Sequence, residues 1–367
     1  MPKTGSIRHI FAGGNTTRGF YSYYQYILSQ EEANRIICIK GGPGVGKSTF
    51  MKKIGDEMIK KGYDLEYIHC SSDNNSLDGV VIPALKVALI DGTAPHVVDP
   101  KNPGAVDEIL HLGDFWNEEG LRKNKKQILQ SNATIKGLFA RAYRYLAAAK
   151  SIYDDISAVY EEATNRAGVN REAEEIVSGL FKNVPLSDKL GRVRKLFGSA
   201  ITPGGLCNYL ETIIDVNERV YVVKGAVGTG TERLLAKIAD AAVQRGLDVE
   251  TYYCPMDPEK RIEHVIIPGL SLAFTTSNKY HAAGNNSKNI IDLGIYTDKS
   301  ILEKHGEILK YDNDMLDSLL DRAILTIKKA KEEHDRMESY YIPNMNFDEV
   351  QACLEKTLNR IFKYADG

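Results

Sequence analysis

The sequence predicts an α/β protein in which a parallel sheet flanked by helices is built twice in tandem, each copy ending in a long helical appendage. Three observations predict it. Short β-branched runs alternate with stretches of helical spacing. One of those runs enters a glycine-rich turn that opens directly into a helix. The second half repeats the first at an offset of 181 to 186 residues, too long for a solenoid unit and right for a whole domain. With 367 residues, 43% hydrophobic and 26% charged, the chain can bury two cores, which excludes a disulfide scaffold or a disordered tail.

Arg8-His9-Ile10-Phe11 and the following Thr16, Gly19 and Tyr23 correspond to Arg194-Lys195-Leu196-Phe197, Thr202, Gly205 and Tyr209. RIICIKGGPGVGKST, from Arg35 to Thr49, then aligns with RVYVVKGAVGTGTER, from Arg219 to Arg233. Further on, Cys70 falls on Cys254, Asp73 on Asp257, Pro83 on Pro268, His96 on His281 and Lys150 on Lys331. Two domains follow, residues 8–183 and 194–367, joined through the pattern-breaking segment 182–193.

In chain order, residues 36–39 read as a strand ending in glycines, and 47–61 as a helix stopped by Gly62. Residues 65–69 read as a second strand, 77–85 as a short helix or turn ended near Pro83, and 87–91 as a third strand. Residues 117–166 lack proline and keep helical spacing, which predicts a long helix or helical hairpin. Its counterpart over 298–341 carries KKAKEEHDR, read as a solvated charged face.

Gly41-Gly42-Pro43-Gly44-Val45-Gly46-Lys47-Ser48 satisfies G-x-x-x-x-G-K-[ST] between a predicted strand and a predicted helix, which identifies a phosphate-binding P-loop. Glycines let backbone N–H groups curl around a phosphate, and the helix N-terminus adds its dipole. Residues 41–49, including Thr49, are the expected nucleotide cradle; Lys47 reaches the β- and γ-phosphates and Ser48 holds Mg²⁺. The run Val87-Ala88-Leu89-Ile90-Asp91 ends four apolar residues in an acid, making Asp91 the second Mg²⁺ contact, with a turn-capping aspartate as the alternative.

The repeat supplies an internal control. Lys47, Ser48 and Asp91 become Thr231, Glu232 and Thr276, so the second loop is degenerate, and Glu232 puts a negative charge where phosphate would lie. Asp73 and His96 follow predicted strands at the carboxyl edge of the sheet, where an acid or imidazole could act on an acceptor or sense the γ-phosphate. Their retention as Asp257 and His281 equally suits turn or capping bonds.

Lys plus Arg (47) against Asp plus Glu (49) leaves a charge of -2 and no global field for nucleic acid. The opening residues lack the apolar core of a secretion signal and the apolar run 80–90 is broken by Pro83 and Lys86, so a cytoplasmic protein with no membrane partner is expected. Five cysteines without C-x-x-C spacing predict reduced thiols and no structural metal.

With FAGGNTTRGF before the GGPGVGKST loop and LIDGTAPHVVDP after it, the tandem chain resembles a group of internally duplicated bacterial P-loop proteins described as ATPases or nucleotide kinases. The resemblance spans essentially the full chain and implies tandem P-loop NTPase domains that bind nucleotide. It departs at Thr231, Glu232 and Thr276. The T-x-x-G-hydrophobic elements at Thr16 and Thr202 are similar to those of the RecA and KaiC group.

The expectation is a Mg-ATP hydrolase with ATP and Mg²⁺ at the first loop and a degenerate second copy, the two packed as an intramolecular pseudo-dimer. A kinase for a small molecule or nucleotide is the alternative, with Asp73 or His96 near the acceptor. A non-catalytic ATP-dependent switch acting on a protein partner is the third.

Overall fold

The computed structural model describes residues 4–94, 98–282 and 287–365. The first half runs β1 (Ile7–Ile10), β2 (Gly13–Thr16), β3 (Gly19–Ser22), β4 (Arg35–Lys40), α1 (Lys47–Lys60), β5 (Leu65–His69), β6 (Leu77–Ile82), β7 (Val87–Asp91), β8 (Asp107–His111), α2 (Glu118–Lys123), α3 (Lys125–Ala163) and α4 (Arg166–Leu180). The second runs β9 (Val193–Leu196), β10 (Ser199–Thr202), β11 (Gly205–Asn208), β12 (Arg219–Lys224), α5 (Thr231–Val243), β13 (Val249–Cys254), β14 (Asp257–Ile267), β15 (Leu272–Ser277), β16 (Asn289–Asp292), α6 (Lys299–Lys304), α7 (Gly306–Tyr341) and α8 (Phe347–Phe362).

Two six-stranded sheets result, ordered β1-β5-β6-β7-β4-β8 and β9-β13-β14-β15-β12-β16. The order is the same in both halves. The sheets are mixed rather than parallel: β6 and β14 run antiparallel to both neighbours. The helix or turn expected over 77–85 is therefore corrected to a strand followed by one tight helical turn at Pro83–Leu85. All six residues of Leu77–Ile82 are buried, and a Cβ at Gly79 would stand 3.1 Å from the Leu89 carbonyl oxygen, so this glycine permits close strand packing rather than marking a turn.

Between the sheets, hairpins from both halves join into a four-stranded sheet ordered β11-β10-β2-β3. Asn15, fully buried, ties it together by donating to the Ser71 and Ile201 carbonyls and accepting from the Tyr143 hydroxyl. Beside it the halves meet through Phe11 and Phe197, whose backbones exchange N–H···O bonds of 3.2 and 2.9 Å. Next to that bridge lie four buried or half-buried charges, Arg8, Glu66, Arg194 and Glu250, each arginine bonding both carboxylates.

The appendages are the long helices α3 and α7. They pack antiparallel, since Ser131 near the start of α3 bonds Glu333 near the end of α7, while Glu162 at the end of α3 lies 3.6 Å from His305 at the start of α7. Leu146, Ala149 and Ile156 close against Leu316, Leu320 and Ile327. After this pair each chain segment crosses over. Val169, Ala173, Val177 and Phe181 of α4 enter the core with Leu234, Leu235 and Ile238 of α5. Val350, Leu354 and Ile361 of α8 enter the core with Phe50, Met51 and Ile54 of α1. The stretches 8–183 and 194–367 thus remain continuous in sequence, but each sheet takes its last helix from the other stretch.

That exchange has a measurable consequence. Leu354→Ala, far from the first half in sequence, is expected to destabilise the first sheet by about 2–5 kcal/mol, the range for a buried leucine truncation. Urea unfolding followed by fluorescence of Trp116, whose indole packs in the same core, reads the loss. Among the described residues, no helix is long and apolar enough to cross a membrane.

Candidate functional site

The glycine-rich turn lies between β4 and α1, with Gly44 at φ +69° and Gly46 at φ +90°, left-handed values that glycine adopts without steric cost. Gly46 caps α1, whose first-turn N–H groups and dipole point into the turn. Val45 anchors it from beneath, wholly buried in the first core. Lys47 Nζ curls back to the Gly41 and Gly42 carbonyls at 3.1 and 2.9 Å and lies 3.6 Å from Asp91 Oδ2. Asp91 Oδ1 accepts from the Thr93 N–H, and the Thr93 hydroxyl donates to the Gly41 carbonyl. Ser48 Oγ accepts from the Leu77 N–H at 3.0 Å. Lys47 and Asp91 therefore meet at the mouth of the turn, Ser48 follows Lys47 with its hydroxyl held by the Leu77 N–H, and Thr49 is exposed on the first turn of α1.

Asp73 does not join them. Its carboxylate accepts from the Asn75 N–H and the Ser76 hydroxyl and pairs with Lys331 of α7 at 3.4 Å. Burial pushes this carboxyl up, but those hydrogen bonds and the Lys331 ammonium outweigh it and leave it below the usual aspartate value. Its counterpart Asp257 pairs with Lys150 of α3 at 3.6 Å. Asp73 thus closes a turn, and both aspartates pair with a lysine of the opposite half's long helix, which accounts for their presence in both copies. His96 lies outside the described residues.

The reading of KKAKEEHDR as a solvated face holds for Lys328, Lys329, Glu332, Asp335 and Arg336, which are exposed, whereas Lys331 and Glu333 make contacts with the first half. The end of α7 seats on the turn: Glu338 Oε1 accepts from the Gly44 N–H at 3.1 Å. A Cβ at Gly42 would stand 2.8 Å from the Tyr341 ring, and one at Gly44 would stand 3.1 Å from Ile342. His334 Nδ1 lies 3.8 Å from the Glu338 carboxylate. Burial lowers the His334 imidazole below its ordinary value, against the raising effect of Glu338.

Sequence reasoning missed Glu338, His334 and Tyr341. At the offset of 181 that aligns Lys150 with Lys331, Glu338 stands on Ser157 and His334 on Tyr153. At these two aligned positions an acid and an imidazole stand in the arm that reaches the intact turn and not in the other, and that asymmetry was the available clue.

The second turn follows the same backbone path, with Gly228 at φ +89° and Gly230 at φ +93°. Its side chains differ. Glu232 pairs with Arg261 at 3.4 Å, and the same guanidinium reaches Thr231 Oγ1. Thr276, at the place of Asp91, bonds His281 Nε2 at 3.0 Å. The unfavourable charge expected from Glu232 is thus neutralised within the protein. A cavity of about 400 Å³ opens beside this turn, bounded by Tyr153, Val227, Met256, Arg261, His281 and Leu316. Cys70 and Cys254 are buried thiols, and burial pushes both up from their ordinary value, with the nearby Asp78 and Glu263 carboxylates adding to it, so the shared cysteine reads as a packing thiol.

The structure is thus a mixed α/β fold in which a strand turns through left-handed glycines into a helix, with a lysine and an acid facing the turn. Within that frame, a family model described as Nephrocystin 3, N-terminal, matches residues 21–83, the span holding β4, the turn and α1. No curated protein and no solved structure matches the chain.

Proposed function

We propose that the chain is a tandem pair of P-loop NTPase domains, related to the internally duplicated bacterial P-loop proteins, that binds and hydrolyses Mg-ATP at the first loop alone. The observation that supports this best is the pairing of Lys47 with Asp91 across a turn whose N–H groups open at a helix N-terminus, with Ser48 next in the same helix. In this reading the amides of residues 42–48 cradle the phosphates, Lys47 neutralises β/γ charge, and Ser48 and Asp91 hold Mg²⁺. The second half replaces all three chemical positions with Thr231, Glu232 and Thr276, the glutamate carrying its own cation, and takes a non-hydrolytic role.

Turnover of Mg-ATP by the purified chain, with free phosphate and nucleotide products both quantified, tests the reading. Steady phosphate release supports it; ATP binding without release overturns hydrolysis, and transfer to an added acceptor turns the assignment to a kinase.

One contact favours a switch as the second reading. Glu338 places a carboxylate on the Gly44 N–H, where a phosphate oxygen would be received, so nucleotide entry has to displace the end of α7. Glu338→Ala is accordingly expected to tighten Mg-ATP binding about tenfold, or about 1.4 kcal/mol, by removing a competing anion. Titration calorimetry on both proteins measures it, and unchanged or weaker affinity argues against competition at the loop.

A further inference from the structure

The second half has lost the phosphate chemistry and gathered a different donor set in its place. Glu263 and His264 lie on β14 and His281 follows β15; one donor atom from each lies within 4.8 Å of the others, and all three side chains are buried. Adjacent strand residues normally face opposite ways. Here the β13–β14 pairing skips Glu263, since Tyr252 faces His264 and Tyr253 faces Ile262, and such a bulge can re-aim a side chain toward its neighbour's face.

Each imidazole is already oriented by a hydroxyl. His264 Nδ1 lies 2.8 Å from Thr275 Oγ1 and His281 Nε2 lies 3.0 Å from Thr276 Oγ1, leaving the rings 5.0 Å apart. A hydroxyl or carbonyl on one ring nitrogen is the outer-shell support that ligating histidines use to present the other. The His264 Nε2 atom is buried and has no hydrogen-bond partner, a costly arrangement for a polar group unless something binds it. A Cβ at Gly198 would come within 3.2 Å of that nitrogen, so glycine leaves its approach uncovered.

Local charge selects the sign of the ligand. Arg261 is already paired with Glu232, and Lys279, the cavity's other cation, with Asp317, so the buried Glu263 carboxylate has no ion pair of its own among the described residues, which suits a cation rather than an anion. Imidazole with carboxylate suits zinc-class ions, whereas Mg²⁺ and Ca²⁺ prefer oxygen throughout. The repeat again acts as a control: Glu263, His264 and Gly198 stand on Asp78, Gly79 and Ala12, so the first half lacks the set. The spacing of 264 and 281 matches no short metal motif, and only the fold joins them.

We propose that Glu263, His264 and His281 form a binding site for one divalent transition-metal ion of the zinc class, with its open coordination position toward the cavity of the second half. Glu263 and His281 both line that cavity, which gives the ion a route of entry and the open position room for water or a small ligand. The site is independent of nucleotide at the first loop, so either proposal can fail alone.

The test uses the full chain, stripped with chelator and dialysed against ZnCl₂ or CoCl₂, with bound metal counted by elemental analysis. One equivalent of Zn²⁺ is expected, with visible Co²⁺ absorption of four- or five-coordinate type. Glu263→Gln and His281→Gln, close in size to the native side chains, should each abolish stoichiometric binding, and Thr275→Val should weaken it by about 10–100-fold. Glu338→Gln should leave the Zn²⁺ stoichiometry and the Co²⁺ spectrum as in wild type, although His334, Asp335 and Glu338 form a second cluster of possible ligands. The proposal is overturned if the wild-type chain retains no metal, if the equivalent survives in the Glu263→Gln/His281→Gln double variant, or if Glu338→Gln removes it. The Co²⁺ spectrum of the wild-type protein decides the matter should the buried variants fail to fold.

Discussion

Lys47→Ala is expected to lower phosphate release from Mg-ATP by about 10²–10³-fold, the usual cost of deleting one preorganised group that stabilises transition-state charge. The lysine is placed for this by geometry: its ammonium bridges the Gly41 and Gly42 carbonyls and Asp91 across the mouth of the loop. On nucleotide binding those contacts can be traded for phosphate oxygens, so the ammonium keeps hydrogen-bond partners throughout. The truncation also leaves Asp91 without its ion pair, so thermal melts must accompany the assay to separate unfolding from lost chemistry. Thr231→Ala, the same position in the second loop, is expected to leave turnover unchanged. Phosphate release that persists in a folded Lys47→Ala protein would place the activity elsewhere.

A comparably large effect is expected at the charges between the halves. Arg8 and Glu66 are register partners on β1 and β5, and Arg194 and Glu250 are register partners on β9 and β13. Each arginine also crosses to the other half's glutamate: Arg8 reaches Glu250 at 2.5 Å and Arg194 reaches Glu66 at 2.6 Å. Tyr252 adds its hydroxyl to Glu250 at 2.9 Å. Removing one member leaves an opposite charge buried and uncompensated, so Glu250→Gln should cost about 3–5 kcal/mol.

The same site sets an acid limit. Burial pushes the Glu250 carboxyl up, but Arg8, Arg194 and the Tyr252 hydroxyl together hold it down at about 2, against an ordinary 4.5. A folded value below the unfolded one means that this stabilisation is fully present above about pH 4.5 and is lost as pH falls from there toward 2. Melting temperatures of wild type and Glu250→Gln should therefore differ most near neutrality and converge in that window. A constant gap would assign the loss to packing rather than charge.

Arg8 and Arg194 illustrate how far a sequence reaches. The repeat marks them as equivalent, but nothing local says that they meet, because each sits beside its own glutamate in its own sheet. The loop is different. A strand, glycines in fixed places, a lysine and a helix start are all specified within fifteen or so residues, and local backbone preference forces the turn. The strand over 77–82 was concealed by Asp78, Gly79 and Pro83, which resemble turn chemistry until Leu89 and Ile68 are seen pressing on Gly79. The contacts of Lys331 and Glu333 within KKAKEEHDR were concealed for a related reason: a helix pattern records which residues share a face, not what that face meets.

What the sequence by itself determined is therefore the strands at 36–39, 65–69 and 87–91, the helix that opens at Lys47, the long helical segments, and the replacement of Lys47, Ser48 and Asp91 by Thr231, Glu232 and Thr276 in the second copy. All of these depend on contacts between near neighbours or on comparison of one half with the other. Only the tertiary structure decided that α4 and α8 exchange sheets, that Glu338 of one half lies on the loop of the other, and that Glu263, His264 and His281 gather behind Thr276. An amphipathic helix is satisfied by any complementary apolar surface, and local periodicity is blind to which one it receives. The long antiparallel pair of α3 and α7 makes the choice, by carrying each chain to the far half before its last helix can pack.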